Sequence, residues 1–558
     1  YLICCSYLYA DKHFGGQMRS IPNNDKKKMI TGSAWMTLGS ITSRIMGAIY
    51  IIPWGLWLGS NFSLANSLFA KGYNVYSLFL IISTAGIPGA LSKQIAHYDA
   101  IGEMETSNRL FKDSLFMMLG LGVFSAVIMW LIAPLLAFQN GEVDIRMISI
   151  IHALCWPLTI IPAISILRGL FQGRAQMGPS AVSQLVEQFA RIGYMLLATY
   201  VIMVSNDGNY VRAVAHSTFA AFVGAVCALV YLLIALKKQI YFSNYEALQK
   251  QSQIQRKLAL VELCRQSFPF VILDSAIILY QFLDQYMFPI IMKNIFKESN
   301  ETINYLYGLF GFNSNKLTMI VISLSTAMAV TAIPLLSKSF SRNDYRDLSK
   351  KIVSSLKLFF FIMIPGSVGM ICLAHPLYRI FYRSFNYLGI HILELNAAVA
   401  NLIGLFILLV AIMQAVHHSR LAIKYFAFGV IAKMLAEVFC IWFFESYGPL
   451  VATAIGLGVS SFFMLKRLII SFDINLRPIF KYFLGVTLLT IIMASILQIL
   501  KFFIYNFLGK KASSSILILI TSVIVGILVY GFLSLKTRAA DEAFGFSLNT
   551  LRSRFQIS

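Results

Sequence analysis

The chain has 558 residues, 58% of them hydrophobic and only 13% charged, with a mean hydropathy of +0.73. This balance excludes an ordinary water-soluble globular protein. The net charge of +22 is spread over short loops and not gathered on one soluble domain. Attraction to anionic membrane lipids therefore accounts for it, and no nucleic-acid partner is expected.

Runs long enough to cross a hydrocarbon core of roughly 30 Å number about fourteen and divide the whole chain. Residues 1–30 form a basic segment expected in the cytoplasm, with translation starting at Met18 or Met29. No short apolar stretch with a small-residue cleavage site stands before a polar body, which argues against a secreted protein. An N-terminal lobe over 31–236 holds spans near Ala34–Trp54, Val75–Ile95, Ser114–Phe138, Ile148–Leu167, Ala181–Met203 and Ala213–Leu236. The polar stretch 237–265 reads as a cytoplasmic linker. A C-terminal lobe over 266–470 holds spans near Phe268–Met292, Lys316–Leu336, Ile352–Ala374, Ile390–Val416, Leu421–Phe444 and Val451–Leu468. Two further helices, Tyr482–Tyr505 and Ser514–Leu535, occupy 471–536, and 537–558 is a cytoplasmic tail. The fold expected is an all-α polytopic membrane protein with two pseudo-symmetric six-helix lobes and two extra C-terminal helices.

Lys and Arg set the orientation, because they are retained on the cytoplasmic side in short loops. The N-terminal segment, the connections that follow even-numbered spans and the tail carry roughly 32 of them, against roughly 10 in the opposite loops. Both termini are therefore expected inside. The seven cysteines show no paired spacing, and four of them (Cys155, Cys227, Cys372 and Cys440) fall in apolar spans, where packing is the expected role. No HExxH, Cys/His cluster or Walker-type glycine loop is present. Neither metal, cofactor nor enzymatic activity is expected, and the energy for any transport comes from H+, Na+ or the membrane potential.

Internal repetition points to duplication. Ser83-Thr84-Ala85 precedes Ser325-Thr326-Ala327 by 242 residues, and each is followed by Ile-Pro and then Ser-Lys. Gln172 and Arg191 bear the same offset to Gln414 and Lys433.

Ionisable groups at mid-membrane depth are the default functional candidates, because a basic residue there costs about 2.5–3.5 kcal/mol on insertion scales. Arg44, Lys316, Arg191 and Lys433 qualify and are the candidate substrate contacts. Arg191 has Glu187 four positions before it and Lys433 has Glu437 four after, so each can be neutralised on its own helix. Arg44 and Lys316 have no such acid. Their counter-charge comes from another helix, from water or from an anionic substrate. A guanidinium holds a phosphate through two hydrogen bonds and an ammonium adds a compact second charge, which together suit a pyrophosphate. Asp274 and Asp284, on the seventh span, are either counter-ions to Arg44 and Lys316 or a coupling site for H+ or Na+. Gly86, Pro88 and Gly89 in the second span and Pro365 and Gly366 in the ninth mark candidate hinges.

Ser43-Arg44-Ile45-Met46-Gly47, the stretch Lys71-Gly72-Tyr73-Asn74-Val75-Tyr76 leading to Ser83 through Pro88, and Phe171-Gln172-Gly173 with Ser183-Gln184 and Glu187-Gln188 resemble Gram-positive polysaccharide exporters. More narrowly, they resemble the lipid II flippases of the multidrug, oligosaccharidyl-lipid and polysaccharide exporter superfamily, near the stage V sporulation protein B group. The resemblance covers nearly the whole chain. It implies a two-lobed, fourteen-helix transporter of a bacterial plasma membrane, with a central cationic cavity, alternating access, and a lipid-linked saccharide of peptidoglycan or another polysaccharide as cargo. Membrane lipids and the cell-wall synthesis machinery are the implied partners. Tyr50 stands where the family pattern has a second arginine, and Asn315-Lys316 stands where it has an Asp-Arg pair. Both departures make the expected cavity less cationic than in Gram-negative members. The alternatives are a cation-coupled drug exporter of the same superfamily and a non-transporting membrane scaffold. Unpaired cations at mid-depth argue against both.

Overall fold

A computed structural model describes residues 42–43, 46–47, 49–84, 86–100, 102–139, 142–174, 176–205, 208–241, 268–269, 271–382, 386–509 and 512–544. Most of the first expected span, including Arg44, and nearly all of the linker lie outside these residues.

Helices follow one another in chain order. They are α1 (Ile51–Leu58), α2 (Phe62–Thr84), α3 (Ile87–Ala100), α4 (Met104–Leu131), α5 (Ala133–Leu136), α6 (Ile145–Gly173), α7 (Met177–Tyr200) and α8 (Tyr210–Tyr241) in the first half. The second half holds α9 (Ala276–Ile295), α10 (Asn300–Gly308), α11 (Asn315–Ser341), α12 (Tyr345–Cys372), α13 (Ala374–Tyr382), α14 (Tyr387–Ala415), α15 (Ser419–Phe444) and α16 (Gly448–Phe472), followed by α17 (Leu476–Leu508), α18 (Ala512–Lys536) and α19 (Ala539–Phe544). Among the described residues the only sheet is a two-stranded hairpin, Phe138–Gln139 against Glu142–Val143. Among the described residues, eleven helical runs are long and apolar enough to cross a membrane. One of them, Ser419–Phe472, holds two of the expected spans, α15 and α16, which meet at the short turn Glu445–Tyr447.

Side-chain caps start several of these helices. Asp144 accepts from the amide of Arg146 at α6, Ser299 from Thr302 at α10, Asp344 from Asp347 at α12, Asn386 from Gly389 at α14 and Asn475 from Arg477 at α17. Each cap supplies an acceptor to an amide that has no partner within its helix, at a place where the chain turns at a bilayer edge. Exposed faces are apolar. Phe439, Trp442 and Phe443 on α15, Leu488 and Phe502 on α17 and Ile527 and Leu528 on α18 are all exposed, while Lys433 and Glu437 on α15 are buried. A chain that turns Phe outward and Lys inward has hydrocarbon as its outer solvent.

Three expected boundaries move. The second span begins at Phe62, not Val75, so Lys71 is a buried residue within α2 and not a flank. That helix ends at Thr84, and α3 restarts at Ile87 after Gly86, whose φ of 77° closes the turn between them. By contrast α12 runs through Pro365 and Gly366 without interruption, so the structure shows no break at the second expected hinge. The eighth span is longer than expected, because α10 continues into α11 through a π-helical stretch, Leu309–Ser314. This puts Lys316 in the middle of a 42-residue helical run.

The helices α7 and α8 are drawn together at Gly224, where a Cβ would lie 2.6 Å from the carbonyl oxygen of Glu187 and 3.0 Å from Arg191 Cβ. Helices α15 and α16 meet in the same way at Gly456, where a Cβ would lie 2.7 Å from the carbonyl oxygen of Gly429 and 2.8 Å from Lys433 Cβ. Gly429 and Lys433 stand 242 residues after Glu187 and Arg191, the offset of the sequence repeat. Helices α17 and α18 pack outside this arrangement against α12, with the Tyr530 hydroxyl donating to the Phe361 carbonyl at 2.9 Å.

Candidate functional site

A cavity of about 360 Å³ lies between the two halves of the chain. Its wall is built by α2 (Phe69, Tyr73, Asn74), α7 (Gln188, Arg191), α9 (Gln281) and the π-helical stretch with the start of α11 (Phe312, Asn315, Lys316), joined by Tyr50. Ser43 and Gly47, on either side of Arg44, also line it. No acidic residue is among the described lining residues.

The two cations among the described residues of this wall are held by rings. Lys316 Nζ lies 5.7 Å from the ring centroids of Tyr50 and Phe69 and 5.5 Å from that of Phe312. The Arg191 guanidinium lies 5.1 Å over Tyr73, which itself stacks on Phe69 with centroids 4.9 Å apart. A cation over an aromatic face gains about 0.5–2 kcal/mol, far less than a buried charge loses on leaving water. Both groups therefore keep positive charge unspent toward the cavity. The π-helical stretch brings this about: one extra residue per turn rotates Phe312 and Lys316 relative to an α-helical register, a distortion that recurs at functional sites.

The expected pairing of Arg191 with Glu187 is not formed. Glu187 Oε2 accepts from Arg168 at 2.7 Å, and Ser183 shares the same guanidinium at 2.9 Å. Glu187 is thus a counter-ion on the α6–α7 contact and not in the cavity, because a rigid helix leaves the choice between i−4 and a neighbouring helix to packing. Lys433 is not a cavity residue either. It is fully buried, with Nζ 2.5 Å from Asp284 Oδ1, 2.7 Å from Thr453 Oγ1 and 3.8 Å from Glu437 Oε2, beneath the ring of Tyr280. Asp284 therefore neutralises Lys433 and not Lys316. Asp274, ten residues before Asp284, is exposed and makes no ion pair among the described residues.

A polar ladder beside the cavity joins α2 to the α10–π segment and to α9. Asn66 Nδ2 donates to Asn313 Oδ1 at 2.9 Å, Lys71 Nζ to Asn304 Oδ1 at 2.6 Å, and Asn74 Nδ2 to the Tyr307 hydroxyl at 2.9 Å and to Gln285 Oε1 at 3.2 Å. Trp54 closes against Phe312 beside it. Sequence reasoning noted Tyr50 and Asn315 as departures from a pattern but missed the rings Phe69, Tyr73 and Phe312 and the ladder. The signal available was Tyr73-Asn74 together with Lys71 two residues before them, all inside a stretch already singled out.

Comparison with known proteins agrees with this architecture. Residues 29–340 match the family described as Polysaccharide biosynthesis protein. The chain is 34% identical over 456 residues to the lipid II flippase MurJ of Bacillus subtilis (strain 168), covering 79% of this chain and 83% of that protein. It is 22% identical over 373 residues to the stage V sporulation protein B of the same organism, covering 64% of this chain and 68% of that one. Among solved structures, an inward closed conformation of lipid II flippase MurJ superposes with a TM-score of 0.61 at 16% identity, covering 89% of this chain and 97% of that one. An inward-facing multidrug resistance MATE family transporter of the MOP superfamily superposes with a TM-score of 0.60 at 14% identity, covering 78% and 98%. The chain is a multi-pass membrane protein with the fold of that superfamily, and it belongs to the polysaccharide biosynthesis protein family.

Proposed function

We propose that this protein is a flippase that carries a lipid-linked saccharide, lipid II or a related undecaprenyl-pyrophosphate oligosaccharide, across a bacterial plasma membrane for peptidoglycan or polysaccharide synthesis. The observation that carries the reading is the cavity: Arg191 and Lys316 face it, no described acid lines it, and Tyr50, Phe69, Tyr73 and Phe312 supply ring faces. A diphosphate is matched by one forked donor and one compact cation, and sugar rings pack on aromatic faces. A drug exporter for cationic compounds would need the opposite charge.

In this scheme the headgroup enters the cavity while the polyprenyl tail stays in lipid. Arg191 and Lys316 hold the diphosphate, and the ladder from Asn66 to Asn74 parts to release the headgroup on the other side. The basic loops support a cytoplasmic position for both termini, and in that orientation the ladder closes the outer face. The cell-wall synthesis machinery is the partner that would receive the product.

The test is expression in a bacterium depleted of its own lipid II flippases, with lipid II accessible from outside the membrane as the readout. Rescue that is lost in the inserted, folded Arg191→Ala/Lys316→Ala chain supports the reading. Equal rescue by wild type and double variant would overturn it, as would failure of the inserted wild type to expose lipid II.

A further inference from the structure

We propose that the end of the second half where α14 turns into α15 is a phosphate site, built by Gln414, His418, Arg467 and the first turn of α15, and that it takes the phosphate of an anionic membrane lipid from the adjoining leaflet.

The sequence repeat shows what sets this turn apart. In the first half, α6 ends with the Gln176 amide donating to the Phe171 carbonyl at 2.8 Å, and 242 residues later α14 ends with the His418 amide donating to the Met413 carbonyl at 2.8 Å. The two turns are equivalent, and α7 and α15 start from them. At the first, Gln172 Nε2 donates to Ser180 Oγ, in the opening turn of α7, at 3.0 Å. The residue 242 positions after Ser180 is Ala422, which has no hydroxyl. Gln414, the counterpart of Gln172, is nine-tenths buried, and its Nε2 finds no acceptor. Its amide is thus aimed at the first turn of α15 with no protein group to receive it.

Other donors meet it there. The end of α16 reaches the same turn, with Phe472 lying against the His418 ring at a centroid distance of 6.2 Å. Five residues earlier on α16, Arg467 Nε is closed off from solvent and unpartnered, as is His418 Nδ1. His418 gives α15 no side-chain cap, so the amides of that first turn remain donors at the positive end of the helix dipole. Burial first, and then Arg467 and His417, hold the His418 imidazole below its usual pKa, an effect that a seated anion would offset.

Acceptors are missing on every side. No Asp or Glu occurs from 417 to 436 or from 446 to 472. The acids that flank the site are Asp473, just past α16, and Asp344 and Asp347 at α12, whose Tyr345 stacks on Phe472. Asp344 caps α12 and Asp347 is taken up by Lys351 and Ser339. Among the described residues no acid pairs with Arg467 or His418. A guanidinium, an amide and a helix start converging without an acceptor suit a phosphate. A lipid is favoured as its carrier, because Arg420, Lys424 and Lys466 are exposed at the same edge and Phe428 and Ile431 on α15 and Ile470 on α16 present an apolar wall to acyl chains. In the orientation that the basic loops support, the leaflet is the cytoplasmic one. None of Gln414, His418 and Arg467 lines the large cavity, so the site stands apart from the cargo.

The test is native mass spectrometry of the full-length chain, stripped of lipid in detergent and titrated with phosphatidylglycerol; no transport substrate is involved, so the result is independent of the flippase reading. Wild type should hold its first phosphatidylglycerol about tenfold more tightly than Arg467→Gln, the loss of one charge-assisted contact. Lys466→Gln, which removes an exposed charge one residue away, should bind as wild type does. Ala422→Ser supplies the hydroxyl present in the first half, satisfies Gln414 Nε2, and should weaken the lipid severalfold while raising the Tm of the lipid-free chain. Equal binding by wild type and Arg467→Gln would overturn the site. So would an equal loss in Lys466→Gln, which would reduce it to general attraction between basic loops and anionic lipid. Displacement of the lipid by inorganic phosphate would uphold the anion chemistry and overturn the lipid as its source.

Discussion

Arg191 and Lys433 stand 242 residues apart on equivalent helices, each beside a glycine that lets a second helix approach, and they have opposite fates. Arg191 looks into a cavity of about 360 Å³ with, among the described residues, a tyrosine ring and no acid against it, its nearby Glu187 taken by Arg168. Lys433 has no exposed surface and is enclosed by Asp284, Thr453 and Glu437. The repeated unit thus supplies a basic residue at the same depth twice, and the neighbouring helix decides whether its charge is offered or cancelled. For the first, α9 contributes Gln281 to the wall; for the second, the same helix contributes Asp284.

Removing the cancelled charge should produce the largest effect. Lys433→Met leaves two buried carboxyls with no cation and should destabilise the fold by about 3–5 kcal/mol, the penalty of breaking a buried pair from one side. Thermal unfolding in detergent checks it. Adding Asp284→Asn to that variant should return most of the loss, because one carboxyl can then remain protonated without a neighbouring anion. Failure of the second substitution to help would mean that Lys433 is held for its packing and not for its charge.

Removing the offered charge should leave Tm nearly unchanged and reduce transport. Arg191→Ala and Lys316→Ala should each lower lipid II exposure by at least about tenfold, corresponding to roughly 1.4 kcal/mol of lost headgroup interaction. Arg191→Lys should recover only part of it, since an ammonium cannot make the forked contact. Equal Tm losses in the Arg191 and Lys433 variants would erase the distinction between the two sites.

The shared feature, the glycine contact, should behave alike on both sides. Gly224→Ala and Gly456→Ala each press a methyl group onto a backbone carbonyl at 2.6 and 2.7 Å, which no side-chain rotation relieves. Each should cost about 1–3 kcal/mol by overpacking. A large asymmetry between them would show that the two helix pairs are not equivalent supports.

Much of this comparison was legible in the sequence and part of it was not, for a definite reason. Length and apolarity locate spans because the bilayer sets both, and the 242-residue offset picks out Arg191 and Lys433 as equivalents before any coordinates. Helical spacing then suggests partners only on the same helix. It found Glu437, the weaker contact of Lys433, and assigned Glu187 to Arg191 when packing assigns it to Arg168. The pairing of Lys433 with Asp284 joins residues 149 positions apart, and nothing in local spacing encodes it. Nor does any pattern announce the π-helical turn at Leu309–Ser314, which depends on how α10 and α11 pack. Lys71 was misplaced because the window of apolar residues opened at Val75, while Asn66, Ser67 and Lys71 are buried polar residues that extend α2 back to Phe62.

The smallest expected effect is the one that best separates spacing from packing. If Glu187 neutralised Arg191, Glu187→Gln would raise the positive charge of the cavity and strengthen diphosphate binding. Because its carboxylate sits 2.7 Å from Arg168, with both side chains partly exposed, the substitution instead weakens an α6–α7 contact worth about 0.2–1 kcal/mol. Affinity for a lipid-linked diphosphate should therefore stay within about twofold of wild type, with a Tm drop of a few degrees at most, and Arg168→Gln should lower Tm by a similar amount. The double variant should cost less than the two single losses added, as coupled partners do. A clear rise in affinity in Glu187→Gln alone would restore the pairing along the helix and make Arg191 a second self-neutralised site like Lys433.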